Sequence, residues 1–341
     1  MKIISIFNNK GGVGKTTYMY HVAHLMAKQG KVVLTVDLDS QCNLSAYALS
    51  DEQIERSLGD QGNSIWNILF DVYEGTGHFK QELPLQFNQE YKNLYIVPGD
   101  VLLSNYEDLL GDTWSSAKGG QASALRVQSA IYRYILWSAR EIQADVVMLD
   151  LGPNLGSLNR SVLAASDYFI VPMSPDLFSI RGTQNLGDKL VRWHQEWKQC
   201  HQALQESQES SVISSEIPLP RGEPMFLGYV MQQHNVRSNK RGMTQGWSIF
   251  GERVEKAVHD NIINKLRKLN QVYDWNDDNK WELGKIPNLH SLIPYSQDAK
   301  KPIFDCGSRE KLRGAHISSA ENSVRLFKPI VDRLLTVLGN D

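Results

Sequence analysis

Nine residues near the N-terminus constrain this chain more than anything else in it: Asn9-Lys10-Gly11-Gly12-Val13-Gly14-Lys15-Thr16-Thr17. The apolar run 2–7 (KIISIF) precedes them, and a segment with helical spacing, 15–29, follows at once. Backbone N–H groups can point at an anion only where the chain wraps it closely, and glycine permits this through positive φ and the absence of a Cβ. A helix starting directly behind such a loop adds the positive end of its dipole. Strand, glycine loop, Lys-Thr and helix together predict a phosphate-binding loop. On that pattern Gly11, Gly12, Val13 and Gly14 cradle phosphates, and Lys15 reaches the β- and γ-phosphates. Thr16 ligates Mg2+ through its hydroxyl, and Thr17 bonds the α-phosphate.

Short β-branched runs recur downstream at 32–37 (VVLTVD), 94–97, 145–150 (DVVMLD), 168–172 and 226–231. They are continuous rather than alternating, which suits strands buried on both faces of a parallel sheet. Helical spacing lies between them at 121–142, 157–166, 178–205 and 247–269, and again at 318–338. The alternation predicts an α/β fold, a doubly wound and mostly parallel sheet with helices on both faces. With 341 residues, 41% of them apolar, the chain suffices for one such domain spanning 1–341, with insertions at about 51–92 and 191–224. Trp193 and Trp197 stand one helical turn apart, a spacing that suits core packing. No apolar run approaches the roughly 20 residues a membrane span requires. Three widely spaced cysteines, Cys42, Cys200 and Cys306, suggest neither a disulfide framework nor a zinc site, and point to the cytosol.

The loop departs from the ordinary G-x-x-x-x-G-K-[ST] pattern: Asn9 replaces the first glycine, and Lys10 stands directly before the glycine pair. This K-G-G-x-G-K-T arrangement resembles the deviant phosphate loop of the ParA/MinD family of ATPases. The resemblance implies that ATP and Mg2+ are the ligands and that Lys10 crosses to the partner's nucleotide in a dimer sandwiching two ATP molecules. Val36-Asp37-Leu38-Asp39-Ser40-Gln41-Cys42-Asn43 resembles the family's D-x-D-P-Q-x-N switch, with Ser40 for the usual Pro and Cys42 where Gly is common. By that match Asp39 orients the attacking water and Asp37 supports the metal shell. Asp150 closes an apolar strand, the position from which P-loop enzymes hold the metal's water shell. The following 151–156 (LGPNLG) resembles the family's D-x-P-P-S-L-G with Gly152 and Asn154 substituted, and 167–175 continues the match, as do Phe178 and Gly182. Far downstream, Lys285-Ile286-Pro287-Asn288 resembles the wall of the family's adenine pocket, implicating Pro287 and Asn288.

The family's partition branch coats DNA non-specifically when bound to ATP, and a partner protein stimulates its hydrolysis. Formal net charge here is -2, so any DNA contact needs a local patch. Segment 237–268 holds eight basic residues (Arg237, Lys240, Arg241, Arg253, Lys256, Lys265, Arg267, Lys268) against three acids, and 300–313 holds five against two. Plasmid or chromosome partition is therefore the leading expectation, with another cargo, a defence system or a MinD-like membrane role as alternatives. The final segment, SVRLFKPIVDRLLTVLGND, is predicted to be a core-facing helix rather than a membrane anchor. The cysteines do not match the paired positions of an iron-protein cluster, which excludes that branch as an expectation.

Overall fold

The computed structural model describes residues 1–206, 218–234, 243–276, 281–289 and 291–339. The chain opens with β1 (Lys2–Ile6), runs through the glycine loop into α1 (Lys15–Lys28) and returns as β2 (Val33–Leu38). Three short helices follow: α2 (Asn43–Ala48), α3 (Asp51–Leu58) and α4 (Ile65–Tyr73). Ser50 and Gln53 form a reciprocal capping box on α3, and Ser64 accepts from Asn67 N–H to start α4, so both boundaries are set by side chains. The predicted insertion after the second strand is thus helical, and it ends in β3 (Leu85–Gln86).

After β4 (Leu94–Val97) come α5 (Leu103–Asp112), α6 (Trp114–Lys118) and α7 (Ala122–Glu141). Next are β5 (Val146–Leu151), α8 (Ser157–Ala164), β6 (Tyr168–Met173) and the 30-residue α9 (Leu177–Glu206). The remaining elements are β7 (Met225–His234), α10 (Met243–Val258), a π turn at His259–Ile263, α11 (Asn264–Arg267) and β8 (Glu282–Pro287). Three helices close the chain: α12 (Leu292–Ala299), α13 (Ala315–Asn322) and α14 (Val324–Gly339). The helix expected at 318–338 is therefore two, separated at Ser323, and the one expected at 247–269 is interrupted by the π turn.

Among the described residues the strands form one eight-stranded sheet in the order β3-β4-β2-β5-β1-β6-β7-β8, parallel throughout except for the antiparallel edge pair β3–β4. Neighbouring residues on a strand serve opposite cores. On β5, Val147 and Leu149 join the core beneath α4, α5, α7, α8 and α9, while Val146 and Met148 join the core beneath α1 and α14. That double burial explains why the runs lack alternation. Phe327, Ile330, Val331, Leu334 and Val337 of α14 are buried in the second core, so the final helix faces the protein as expected. Trp193 and Trp197 are also buried. Among the described residues no helix is long and apolar enough to cross a membrane.

Candidate functional site

The glycine loop sits at the carboxyl edge of β1, where ligands of open parallel sheets bind. Gly12 and Gly14 have φ of 70° and 77°, values that cost glycine nothing. A Cβ on Gly14 would also come within 2.6 Å of Gln232 Oε1. Gln232, at the end of β7, donates from Nε2 to the Gly14 carbonyl at 3.1 Å and so braces the loop from the far side. Val13 is buried beneath, while Gly11 and Gly12 are open to solvent.

Lys15 is only 7% exposed. Its Nζ folds back over the loop and donates to the carbonyls of Asn8 and Lys10, each at a long 3.3 Å. Burial lowers its pKa, while the carboxylates of Asp150 and Asp39 act in the opposite sense. An ammonium taken out of water with two neutral acceptors is a cation prepared for an anion. Thr16 Oγ1 donates to Asp150 Oδ2 at 2.8 Å. The Thr17 carbonyl receives His21 Nδ1 at 2.7 Å, and His21 Nε2 accepts from Ile303 N–H at 3.0 Å. These two bonds fix His21 as the Nδ1–H tautomer, and burial pushes its pKa down to about 3, so it is neutral.

Asp37 and Asp150 are register partners on adjacent strands and both are buried. They differ in their hydrogen bonds. Asp37 Oδ2 accepts from Ser45 N–H at 2.8 Å and Ser45 Oγ–H at 2.7 Å, and its Oδ1 accepts from Asp39 N–H at 3.3 Å. It caps the first turn of α2 from across the strand end. Asp150 Oδ1, by contrast, is buried with no partner. Burial, followed by the neighbouring charge of Asp37, pushes Asp150 up to about 8, whereas Asp37 is pushed up by burial only to about 6. An orphaned carboxylate oxygen beside a threonine hydroxyl fits a hard cation. Among the described residues no cluster of three or more His, Cys, Asp or Glu could hold one alone. That suits Mg2+, which takes one or two protein oxygens and completes its shell with water and phosphate.

Asp39 follows β2 and is 6% exposed, with Oδ1 accepting from Gln41 N–H at 3.0 Å. Gly152 makes room for it: a Cβ there would lie 3.1 Å from Asp39 Oδ1. Cys42 adopts φ 52°, which accounts for glycine being common at this position in the resembling motif. Lys10 is half-exposed and its Nζ pairs with Asp176 Oδ2. Asp176 also caps α9, accepting from Phe178 N–H at 2.9 Å and Ser179 N–H at 3.0 Å. Although burial works to raise it, the Lys10 bond and these N–H groups hold Asp176 below the usual carboxylate range. Pro287 ends β8, three strands from β1 on the same edge or about 14 Å away at ordinary strand spacing. Asn288 follows it.

The structure thus brings Lys10, Gly11–Thr17, Asp37, Asp39 and Asp150 to one edge, with Pro287 and Asn288 farther along it. Sequence inspection missed Asp176, Gln232 and Ser45. Only Asp176 had a signal, an acidic residue just ahead of a long helical segment. Of the predicted basic residues, Arg237, Lys240 and Arg241 lie outside the described residues. Lys265 pairs with Asp188 and Lys301 with Glu90 and Glu310, while Lys300 donates to Ala46 O at 2.6 Å. Arg253, Lys256, Arg309, Lys311 and Arg313 are exposed.

A protein-family profile described as an AAA domain matches residues 1–205. The sporulation initiation inhibitor protein Soj of Bacillus subtilis (strain 168) is 30% identical over 195 residues, which are 57% of this chain and 67% of Soj. The chain spans slightly less than two thirds of the first curated relatives it matches, 64% and 62% of their lengths. Among solved structures, protein DIP2308 from Corynebacterium diphtheriae superposes with a TM-score of 0.64 at 29% identity, over 88% of this chain and 97% of that one. The structure of pNOB8 ParA bound to nonspecific DNA shares the fold, with a TM-score of 0.55 at 19% identity over 100% of this chain and 99% of that one.

Proposed function

This chain belongs to the ParA/MinD family of P-loop ATPases, and we propose that it binds Mg2+-ATP, closes two protomers around two nucleotides and reopens on hydrolysis. One observation carries this: a buried ammonium whose bonds go only to two carbonyls shares the sheet edge with the buried Asp150 Oδ1, a carboxylate oxygen without a donor. A triphosphate with its cation supplies both missing partners. The proposed ATPase domain spans 1–341, with the segments 51–92 and 191–224 as additions to it.

In this mechanism Lys15 exchanges the carbonyls of Asn8 and Lys10 for the β- and γ-phosphates, while the N–H groups of Gly11 to Thr17 cradle the chain of phosphates. Thr16 Oγ and Asp150 would hold Mg2+, which when bound neutralises charge on the phosphate oxygens. Asp37 acts one step removed, by fixing α2 and with it the loop that carries Asp39. Asp39 accepts a hydrogen bond from water and orients it at the γ-phosphate. Lys10 leaves Asp176 and reaches the partner's nucleotide, adding a cation where charge develops. Pro287 and Asn288 line the base end.

Contact with DNA is proposed on charge, from Arg253, Lys256, Arg309, Lys311 and Arg313 toward the phosphate backbone. Partition of a plasmid or chromosome in the cytosol, with a stimulating partner protein, is the role this favours. Burial of the apolar side of α14 gives a membrane role no support. Light scattering with ATP or ADP tests the cycle. ATP alone should double the mass, Lys15→Ala should abolish nucleotide binding, and Asp39→Ala should bind ATP yet remain dimeric. Equal masses with either nucleotide would sink the sandwich, and normal hydrolysis by Asp39→Ala would sink its role. Binding to DNA in ATP should weaken steeply with salt, and no binding at low salt removes the partition role.

A further inference from the structure

We propose that a small monovalent anion of halide size binds inside the protein between α8 and α9, held by Arg160 Nε and Trp197 Nε1. The site shares no residue with the phosphate loop or the strand-end acids, so it stands apart from the nucleotide reading. Arg160, Leu190, Trp193, His194, Trp197 and Gln271 line a cavity with about 10 Å3 in which the centre of a water-sized sphere can move. That is room for one small occupant. Arg160 is 8% exposed and Trp197 1%, yet neither Arg160 Nε nor Trp197 Nε1 has a hydrogen-bond partner. Both groups can only donate, and a buried donor left unmet has lost its bond to water for nothing. The Trp114 ring lies 3.8 Å beneath the Arg160 guanidinium and edge-on to Trp197 at 5.4 Å, so the two donors are neighbours.

Charge selects the occupant. Among the described residues no carboxylate pairs with Arg160, whose Nη2 donates to Leu110 O at 3.2 Å. Glu196 is the acid whose charge acts on it most, but its Oε1 accepts from Arg192 Nε at 3.1 Å and its Oε2 from Trp114 Nε1 at 3.3 Å. Burial pushes Arg160 down to about 10, with Glu196, Cys200 and Glu107 acting in the opposite sense, so the guanidinium stays charged at neutral pH. Cys200 is no counterion, because burial pushes its thiol up to about 12. A water would accept from both N–H groups and leave that charge uncompensated; a monovalent anion answers all three. The space excludes a phosphate. Backbone shapes the cavity as well: Gly222 has φ 72°, and a Cβ there would come within 2.6 Å of Trp197 Cβ. A surface cleft of about 300 Å3 shares His194 with the cavity and carries Lys198 and Arg221 against Glu223, an approach that favours anions.

The test is chlorine NMR linewidth together with bromide crystallography on the full chain, comparing the wild type with Trp197→Phe and Arg160→Met. Sodium chloride is titrated into sodium gluconate at constant ionic strength. Chloride at the phosphate loop is common to all three proteins and cancels in the comparison. The wild type should broaden the chloride line saturably. Trp197→Phe keeps an aromatic ring and loses the N–H, and should bind chloride about tenfold more weakly. Arg160→Met should lose the site; if that variant does not fold, Trp197→Phe carries the comparison. In crystals soaked in sodium bromide, anomalous scattering should place one bromide within hydrogen-bond reach of both nitrogens. A water at that position overturns the proposal, as does chloride binding by Trp197→Phe equal to that of the wild type. Bromide in the crystal with no difference between the proteins in solution marks an adventitious ion only, and overturns it too.

Discussion

Asp37 and Asp150 end neighbouring strands in register, both fully enclosed, yet one is satisfied and the other is not. Asp37 receives three hydrogen bonds, two of them from Ser45, and works as part of the scaffold. Asp150 receives one, from Thr16, and keeps a second oxygen bare in a site closed to water. The lesson is that burial alone does not mark a functional carboxylate; burial with an unmet valence does. The same contrast recurs on α1. His21 is bonded through both ring nitrogens, whereas His24 bonds Tyr20 O through Nδ1 and leaves Nε2 buried without a partner.

Removing the bare carboxylate should have the largest effect on function. Asp150→Ala is expected to weaken Mg2+-dependent nucleotide binding by about 100-fold, or about 2.7 kcal/mol, without lowering thermal stability. Calorimetric titration with Mg2+ and with EDTA checks this, and an equal loss in EDTA would break the contrast. Asp37→Ala should do the reverse. Losing bonds to Ser45 and Asp39 should cost about 2–3 kcal/mol of stability in urea, while the Mg2+ dependence of binding survives. Were Asp37→Ala to abolish that dependence, Asp37 would be a direct metal ligand.

The histidines sharpen the contrast further. His21→Leu orphans the Ile303 N–H and should cost about 1–3 kcal/mol, whereas His24→Leu orphans no buried N–H and removes, besides its bond to Tyr20 O, a nitrogen that is already unmatched. Burial pushes His24 down to about 4 from an ordinary value of 6.5. Its stabilising contribution is therefore fully present above pH 6.5 and lost as pH falls toward 4, where the unfolded chain takes up the proton first. Between pH 6.5 and 5 the stability of the wild type relative to His24→Leu should therefore fall by about 1.6 kcal/mol. Paired urea titrations at those two pH values measure it, and a constant gap refutes the assignment.

Much of this was legible in the sequence. The glycine loop, the strand-end acids and the buried runs depend on short-range pattern, so the core strands and their edge of binding followed from residue order. β8 was not legible as a strand: ELGKIP mixes charges into an edge position where only one flank is paired. Helices α5 and α6, ten and five residues long, were missed: pieces this short show little of the helical period. The division of labour between Asp37 and Asp150 was equally hidden. It depends on Ser45 meeting Asp37 through the turn into α2, and on Asp150 having no such neighbour. Gln232 braces Gly14 across 218 residues of sequence, a contact that only the fold creates.

Cys42 loads its own loop with strain. A side chain held at φ 52° costs its loop about 1–2 kcal/mol relative to glycine, and that cost falls on the conformation in which Cys42 N–H bonds Asp39 O. The loop is therefore wound, like a spring latched at one end by the Asp37–Ser45 bonds. Any alternative arrangement that lets residue 42 relax is favoured by that amount. A glycine at 42 would carry no such cost, so the bias in this loop is set by one Cβ rather than by any charged group.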